Sequence, residues 1–336
     1  MANLQPFLDK YKVILFDMDG VITSEQGYWN CAALTVHEML RSSHCLGSED
    51  FNRAAAVANL ENVRKAVFAN GKTIALLKEK GVNSNWDLAY VVICISLILG
   101  NTSDYEAVYR YAQGLGDDIL SEYDRLAGLA AKALGRPPKW SERLGEMWTQ
   151  QQKLFQLYYI GTDEFDGLIQ NEMPIIPLPE LYDLLSSLCE AGKQLGYGTG
   201  RLAFETLHPL RLWHVDAFFA PQRRICYDEV INAEERLAAA GRNVRLTKPH
   251  PYMFLQGLYG LDYPPEKLID GDYDKSAIAE VLVVGDAGAD IYAAQAMGAD
   301  FCAVLTGVAG QAARGYFEGV GAQYILDSVR DMMTSE

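Results

Sequence analysis

Two aspartates directly follow a run of apolar residues near the start of the sequence. Residues 13–19 read Val-Ile-Leu-Phe-Asp-Met-Asp, so Asp17 and Asp19 are two positions apart, and Gly20 follows. β-Branched and aromatic residues are typical of a strand, and a glycine allows a tight turn after it. Carboxylates at the carboxyl end of a strand lie where open α/β sheets bind ligands. The segment therefore predicts a reactive centre; a strand followed by an ordinary Asp-Gly turn is the simpler alternative.

Three later segments add polar groups that could act with these aspartates. Thr199 stands between glycines after a short apolar run, so its hydroxyl and nearby backbone N–H groups could bind an anion. Lys248 comes just before a predicted helix and could place a point positive charge on a phosphate. Asp286 ends another apolar run, and Asp290 lies one helical turn later. Taken singly, Thr199 is more simply part of a turn, and Lys248 a solvated surface residue.

The elements that must position these groups alternate along the sequence. The apolar patterns predict helices over 179–191, 202–213, 250–260 and 289–297 and strands over 194–198, 216–219, 281–285 and 301–305. Such alternation is typical of a parallel sheet with helices on both faces. The predicted fold class is therefore α/β, with a Rossmann-like, doubly wound parallel sheet as its core.

A long helical excursion separates the first strand from the rest of this sheet. Apolar residues recur at helical spacing through 28–41, 49–69, 85–99, 103–133 and 140–159, and the proline-rich residues 173–179 mark the return. We therefore predict a core of residues 1–24 and 176–336 and a large all-α domain of residues 25–175. A further helix is predicted within an insertion near residues 228–245.

In this order, the four segments resemble the sequence motifs of the haloacid dehalogenase-like (HAD) superfamily of hydrolases. The motifs are Asp17-Met18-Asp19-Gly20, then Thr199, then Lys248, then Gly285-Asp286 with Asp290. The resemblance covers residues 1–24 and about 175–330. It points to the phosphatase and phosphomutase branch, in which a helical cap domain is inserted after the first motif; residues 25–175 stand at that place.

The resemblance implies a role for each motif residue. Asp17 would be the nucleophile and form an aspartyl-phosphate. Asp19 would protonate the leaving oxygen and then deprotonate the attacking water. Thr199, Gly200 and Lys248 would bind the phosphoryl oxygens and neutralise their charge as the bond breaks.

Magnesium is the cofactor that the resemblance implies. Three carboxylates in one pocket would repel one another without a cation, and hard oxygen ligands of this kind suit Mg²⁺. The ion would be held by Asp17, by the backbone carbonyl of Asp19 and by Asp286. Asp290 would orient a metal-bound water or the lysine.

The sequence favours a phosphatase that acts on a small phosphate monoester. Asp19 indicates cleavage at oxygen, because a carbon–halogen bond has no leaving oxygen to protonate. A phosphomutase is the first alternative, since residues 19–23 resemble the β-phosphoglucomutase branch; that branch usually has a histidine where this chain has Trp29, which counts against it. The alternative of another class is a catalytically silent binding or regulatory module, but a binder needs no general acid.

Composition limits the partners and the compartment. The 336 residues carry a formal net charge of −15 and no basic cluster, which disfavours nucleic acid and anionic membranes as partners. The six cysteines show no CxxC spacing, and no signal-like segment is evident, so we expect a cytoplasmic protein. The expected partner is a small phosphorylated metabolite, attracted locally by Mg²⁺, Lys248 and Arg201. The sequence predicts no oligomeric state.

Overall fold

The chain divides into two compact units. The computed structural model describes residues 3–82, 84–163 and 165–334. The core unit comprises residues 1–24 and 173–336, and the helical unit comprises residues 25–172. Within the described ranges, no helix is both long and apolar enough to span a membrane. All six cysteines are free thiols.

The helical unit follows the first strand of the core, β1 (Val13–Phe16). Its helices are α1 (Gln26–Arg41), α2 (Arg53–Ala58), α3 (Leu60–Val67), α4 (Lys72–Glu79), α5 (Asn85–Ile98), α6 (Tyr105–Gln113), α7 (Tyr123–Ala133), α8 (Pro138–Ser141) and α9 (Glu146–Ile160), followed by the strands β2 (Gly161–Thr162) and β3 (Phe165–Asp166). Helix α5 packs against α1, α6, α7 and α9. Because its residues from Asp87 to Leu97 are all buried, α5 is buried on every face.

Three of the helical segments predicted from the sequence are broken, and one of them is residues 140–159, which form the end of α8 and then α9. Residues 49–69 form α2 and α3, which meet at Asn59, whose φ of −107° and ψ of 20° are not helical. Residues 103–133 form α6 and α7, because Gly114 and the residues after it end the first helix. The unit is helical apart from the β2–β3 pair, which no sequence pattern predicted. Gly161, with a φ of +93°, allows the turn of the chain from α9 into this pair.

The core unit is built on a six-stranded parallel sheet. Its later strands are β4 (Gln194–Gly198), β5 (Phe219–Ile225), β6 (Val281–Gly285), β7 (Asp300–Val304) and β8 (Tyr324–Leu326). The strand order is β5-β4-β1-β6-β7-β8, so the chain builds outward from β1 on one side and then returns to build the other side. The loops after β1, β4 and β6 therefore leave neighbouring strands at the switch point, where doubly wound sheets bind ligands.

Helices cover both faces of the sheet, which confirms the predicted α/β class. The core helices are α10 (Leu178–Glu190), α11 (Ala203–Leu212), α12 (Tyr227–Ala239), α13 (Tyr252–Tyr259), α14 (Pro265–Asp270), α15 (Gly288–Met297) and α16 (Arg314–Gly319). Alternate residues of β1 point to opposite faces: Ile14 and Phe16 pack with α10, and Val13 and Leu15 pack with α13 and α15. Helix α12 lies in the insertion predicted near residues 228–245.

The edges of the sheet differ most from the sequence-based prediction. Strand β5 was predicted over 216–219 but spans residues 219–225, and β8 was not predicted. Both are edge strands, and an edge strand can include polar residues and proline because one side is unpaired. Residues 220–224, which read Ala-Pro-Gln-Arg-Arg, therefore lack the apolar pattern of a central strand.

Candidate active site

The loop after β1 presents the two aspartates of the first motif. The Asp17 N–H donates to the Val284 carbonyl at 2.8 Å, which extends the pairing of β1 with β6 by one residue. The chain then turns sharply, and the N–H groups of Ile22 and Thr23 both donate to the Met18 carbonyl, at 2.9 and 2.8 Å. The carboxylates of this loop are thus held by a backbone that is itself hydrogen-bonded to the sheet.

Two glycines make room for the Asp286 carboxylate. A Cβ atom at Gly20 would lie 2.2 Å from Asp286 Oδ2, and one at Gly307 would lie 2.1 Å from the same atom. Gly20 also has a φ of +76°, which favours glycine. The Thr306 hydroxyl donates to the Gly20 carbonyl and ties these two loops together. The Asp286 side chain therefore lies directly against the backbone of the first motif.

A lysine lies between two carboxylates at the centre of the site. Lys248 Nζ is 2.7 Å from Asp17 Oδ1 and 2.7 Å from Asp290 Oδ1. The carboxylates of Asp17, Asp286 and Asp290 each offer an oxygen within 4.8 Å of the others. Asp17 comes from the loop after β1, Asp286 from the loop after β6, and Asp290 from the first turn of α15, which follows that loop. Although Lys248 and Asp290 are 42 positions apart in the sequence, their side chains are in direct contact.

The crowded carboxylates of this cluster stabilise positively charged groups. Burial, and next the Asp290 carboxylate, raise the pKa of Asp17 to about 7, although Lys248 opposes this shift. Burial alone would lower the pKa of Lys248, but Asp17 and Asp290 outweigh it and raise that pKa above its ordinary value. Lys248 is therefore a firmly protonated cation, and one such charge does not offset three crowded carboxylates.

Hydrogen bonds hold both carboxylate oxygens of Asp290. It lies in the first turn of α15, where its Oδ2 accepts from the Ala287 N–H at 3.2 Å while its Oδ1 accepts from Lys248. A Cβ atom at Gly285 would lie 2.5 Å from Asp290 Cβ, so the glycine allows α15 to approach β6. Both oxygens of Asp290 are thus engaged, and its contact with Lys248 places the lysine beside Asp17.

Asp19 points to a different partner, which the sequence-based prediction did not include. Arg201 donates through Nε to both Asp19 oxygens, at 2.9 and 3.0 Å, and also through Nη2 to Oδ1. The Thr23 hydroxyl donates to Asp19 Oδ1 at 3.1 Å. The sequence had indicated Arg201 only as a source of attraction for anions. The position of Arg201 two residues after Thr199 predicts this pair only once the order of the strands is known.

The remaining predicted residues lie on the loop after β4. The Thr199 N–H donates to the Ile225 carbonyl at 2.9 Å, and its hydroxyl accepts from the Arg201 N–H at 3.2 Å. Gly200 is exposed, and a Cβ atom there would have no neighbour within 4 Å. The structure thus brings Asp17, Lys248, Asp286 and Asp290 into one cluster. Thr199 and Gly200 lie with Arg201, whose side chain contacts Asp19.

The charge balance of the site would suit a divalent cation. Asp17, Asp19, Asp286 and Asp290 supply four carboxylates, and Lys248 and Arg201 supply two positive charges. The four carboxylates outnumber the two cationic side chains in a partly buried site, and a bound counter-ion would reduce the repulsion among them. The three clustered carboxylates offer only hard oxygen ligands, the kind that Mg²⁺ prefers.

Comparisons with known proteins agree with this fold. Residues 245–332 match the family model described as "HAD-hyrolase-like". A crystal structure of a Northeast Structural Genomics Consortium target has 25% sequence identity and a TM-score of 0.74, with 96% of this chain and 97% of that chain covered. A comparison with curated proteins found no match to the sequence.

Two other solved structures are more distant. A haloacid dehalogenase-like hydrolase from Bacteroides fragilis is 14% identical with a TM-score of 0.48, over 96% of this chain and 99% of that one. Phosphatase Tt82 from Thermococcus thioreducens is 16% identical with a TM-score of 0.47, over 86% of this chain and 90% of that one. Scores this low support no statement about activity.

The family match and the site fall on the same part of the chain. The matched residues 245–332 contain Lys248, Asp286 and Asp290, three members of the central cluster. These comparisons support an enzyme that is similar to the HAD-like hydrolases.

Proposed function

We propose that the protein is a Mg²⁺-dependent phosphatase that cleaves a small phosphate monoester through an aspartyl-phosphate. The observation that carries this proposal is the environment of Asp17. Its carboxylate lies at the end of a central strand, 2.7 Å from a lysine whose side chain is 10% exposed and within 4.8 Å of two further carboxylates. A carboxylate nucleophile beside a fixed cation and a metal-binding acid suits phosphoryl transfer, because that reaction depends on positioning and on charge neutralisation.

The proposed reaction has two steps. In the first, an Asp17 oxygen forms a bond to phosphorus while the bond from phosphorus to the leaving oxygen breaks, and Asp19 gives that oxygen a proton. In the second, Asp19 takes a proton from water as the water oxygen attacks phosphorus. The bond to Asp17 breaks, inorganic phosphate leaves, and the carboxylate is restored. Lys248 neutralises charge on the phosphoryl oxygens, and Thr199 with Gly200 would bind them.

The proposed metal ligands are Asp17, Asp286 and the backbone carbonyl of Asp19. Asp290 is a less suitable direct ligand, because its two oxygens already accept from Lys248 and from the Ala287 N–H. Its proposed role is to orient the lysine. When bound, Mg²⁺ would supply positive charge at the transferring phosphoryl group and complete the charge balance of the site.

The helical unit is the proposed cap, which would determine the substrate. The chain leaves the core at residue 24 and returns at residue 173, and these two crossings run side by side. The Ser24 N–H donates to the Met173 carbonyl at 2.8 Å, and the Ile175 N–H donates to the Ile22 carbonyl at 2.9 Å. The first crossing directly follows the loop that carries Asp19, and the second is hydrogen-bonded to the first. A unit attached at this point could couple its own motion to the exclusion of water from the aspartyl-phosphate.

The experiment is a screen of phosphorylated metabolites for phosphate release with Mg²⁺, combined with trapping of the phospho-enzyme. We expect turnover of a small monoester and a radiolabelled protein that loses its label when Asp17 is changed to Asn. Asp9→Asn is the matched control, because Asp9 is an exposed carboxylate of the same unit. Labelling that persists in Asp17→Asn would contradict the proposal. Isomerisation of a sugar phosphate without phosphate release would instead identify a mutase, and no turnover of any ester would indicate a binding module.

A further inference from the structure

The contact between Arg201 and Asp19 has the geometry of a fixed pair. The guanidinium reaches both carboxylate oxygens, at 2.9 and 3.0 Å from Nε alone. The Arg201 side chain is 2% exposed, whereas the Asp19 side chain is 24% exposed. The arginine is therefore buried behind the carboxylate, and Asp19 retains a surface that faces away from it.

The backbone of Arg201 is also fixed. Its N–H donates to the Thr199 hydroxyl at 3.2 Å, and its carbonyl accepts from the Tyr227 N–H at 2.8 Å, at the start of α12. The loop that carries Arg201 follows β4, which pairs directly with β1. The distance between the guanidinium and Asp19 is thus set by two neighbouring strands of the central sheet.

We propose that Arg201 is a positioning residue for phosphoryl transfer: it fixes the plane and direction of the Asp19 carboxylate and does not itself bind the phosphoryl group. This inference rests on the proposed function. A two-point contact to a planar guanidinium defines the orientation of a carboxylate more sharply than a single hydrogen bond does. Without Arg201, the Thr23 hydroxyl would hold only one Asp19 oxygen, at 3.1 Å.

This role predicts that the effect of Arg201 depends on the substrate. An alkyl phosphate has a poor leaving group and needs a proton from Asp19 as the bond breaks, whereas a 4-nitrophenyl phosphate does not. A misdirected Asp19 should therefore slow the alkyl ester selectively. An arginine that bound the phosphoryl group would affect both esters alike, because the group is the same in both.

The experiment is a double-mutant cycle with Arg201→Gln and Asp19→Asn. Single-turnover formation of the phospho-enzyme is measured with excess protein for glycerol 2-phosphate and for 4-nitrophenyl phosphate. We expect Arg201→Gln to slow the alkyl ester about tenfold to a hundredfold, the scale of a misplaced catalytic group, and the aryl ester less than about threefold. In the Asp19→Asn background, Arg201→Gln should have no further effect. Arg201→Lys, which keeps the charge, should recover part of the alkyl rate.

Arg242→Gln is the control for the loss of an arginine–aspartate pair in the core unit. It breaks the pair of Arg242 with Asp270, which lies on the exposed surface with 2.8 Å between the two side chains. Inhibition by inorganic phosphate should be unchanged in Arg201→Gln. Equal losses with both esters, weaker phosphate inhibition, or a full loss that persists in the Asp19→Asn background would overturn the inference while leaving the phosphatase intact. Absence of turnover by the unaltered protein would instead overturn the proposed function, and this inference with it.

Discussion

Buried carboxylates occur in both units, but their surroundings differ. In the helical unit, Glu38 accepts from Arg53 at 2.6 Å and from the Tyr158 hydroxyl at 2.6 Å. In the core unit, Asp17 and Asp290 share Lys248, and Asp286 lies within 4.8 Å of both. Glu38 has an arginine of its own, whereas Asp17 and Asp290 share one lysine.

A second buried acid of the helical unit follows the same rule as Glu38. Asp87 accepts from Arg143 Nε at 3.1 Å and from Trp148 Nε1 at 2.9 Å. A buried charge that is paired and hydrogen-bonded is tolerated without further partners. We therefore interpret Glu38 and Asp87 as structural and the crowded acids of the core unit as retained for binding and chemistry.

The strongest test of this contrast is Asp17→Asn. We expect turnover to fall at least about 10⁴-fold, because a nearly isosteric amide cannot act as the nucleophile. Stability should be kept or raised, since one of three crowded charges is removed. Single-turnover kinetics and thermal unfolding measure the two effects. A variant that is destabilised but retains activity near that of the unaltered protein would reverse the interpretation.

The second test is removal and return of the cation. EDTA should lower turnover more than about a hundredfold, and Mg²⁺ should restore it. Mg²⁺ should also raise the midpoint of thermal unfolding, because an ion that binds only the folded state stabilises it. Asp286→Ala should lose this thermal shift, and Asp9→Ala should keep it. Full activity in the presence of chelator would exclude the metal role.

The third test addresses the helical unit. Glu38→Gln should lower the free energy of unfolding by about 1 to 3 kcal/mol, because Arg53 and Tyr158 lose a charged acceptor. Glu49→Gln is the matched control: it breaks an exposed glutamate–arginine pair, with Arg41 at 2.7 Å, and should cost less than about 1 kcal/mol. Denaturant unfolding measures the free energy of unfolding of each variant and so distinguishes the two losses. Equal losses in the two variants would show that burial of the pair is not what matters.

Within the core unit, the sequence predicted the central strands of the sheet better than its edge strands and its contacts between loops. The central strands β4 and β6 lie where the apolar pattern predicted them, at residues 194–198 and 281–285, because both are buried on two faces. The edge strand β5 was misplaced because its pattern is polar. The contact between Asp19 and Arg201 joins residues 182 positions apart, so no local pattern could predict it. Only the order of the strands places these two loops side by side.

In the helical unit, the sequence predicted helical spacing but not where helices begin. The α6 helix begins at Tyr105 because the Asp104 side chain accepts from the Ala107 N–H at 3.1 Å. Several nearby polar residues could have capped this helix, and packing selects among them. The paired acids Glu38 and Asp87 likewise stand in ordinary helical sequence, and their arginines lie 15 and 56 positions away. Their burial could not be predicted from local spacing.

The smallest expected effect concerns Trp29, near the start of α1 and at the place where the β-phosphoglucomutase branch usually has a histidine. Its indole Nε1 is buried and has no hydrogen-bond partner among the described residues. If the helical unit determines the substrate, Trp29→Phe should change the ratio of kcat/KM between two phosphate esters by about tenfold, the scale of one lost contact. Inhibition by inorganic phosphate, which reports on Lys248 and Thr199, should stay constant.

The control is Trp86→Phe, because Trp86 packs edge-on against Trp148, at 6.1 Å between ring centroids, inside the same unit. Equal changes in both variants would mean that Trp29 acts only through folding of the unit. A parallel loss with every ester and with phosphate would mean that the helical unit takes part in the chemistry that we assign to the core.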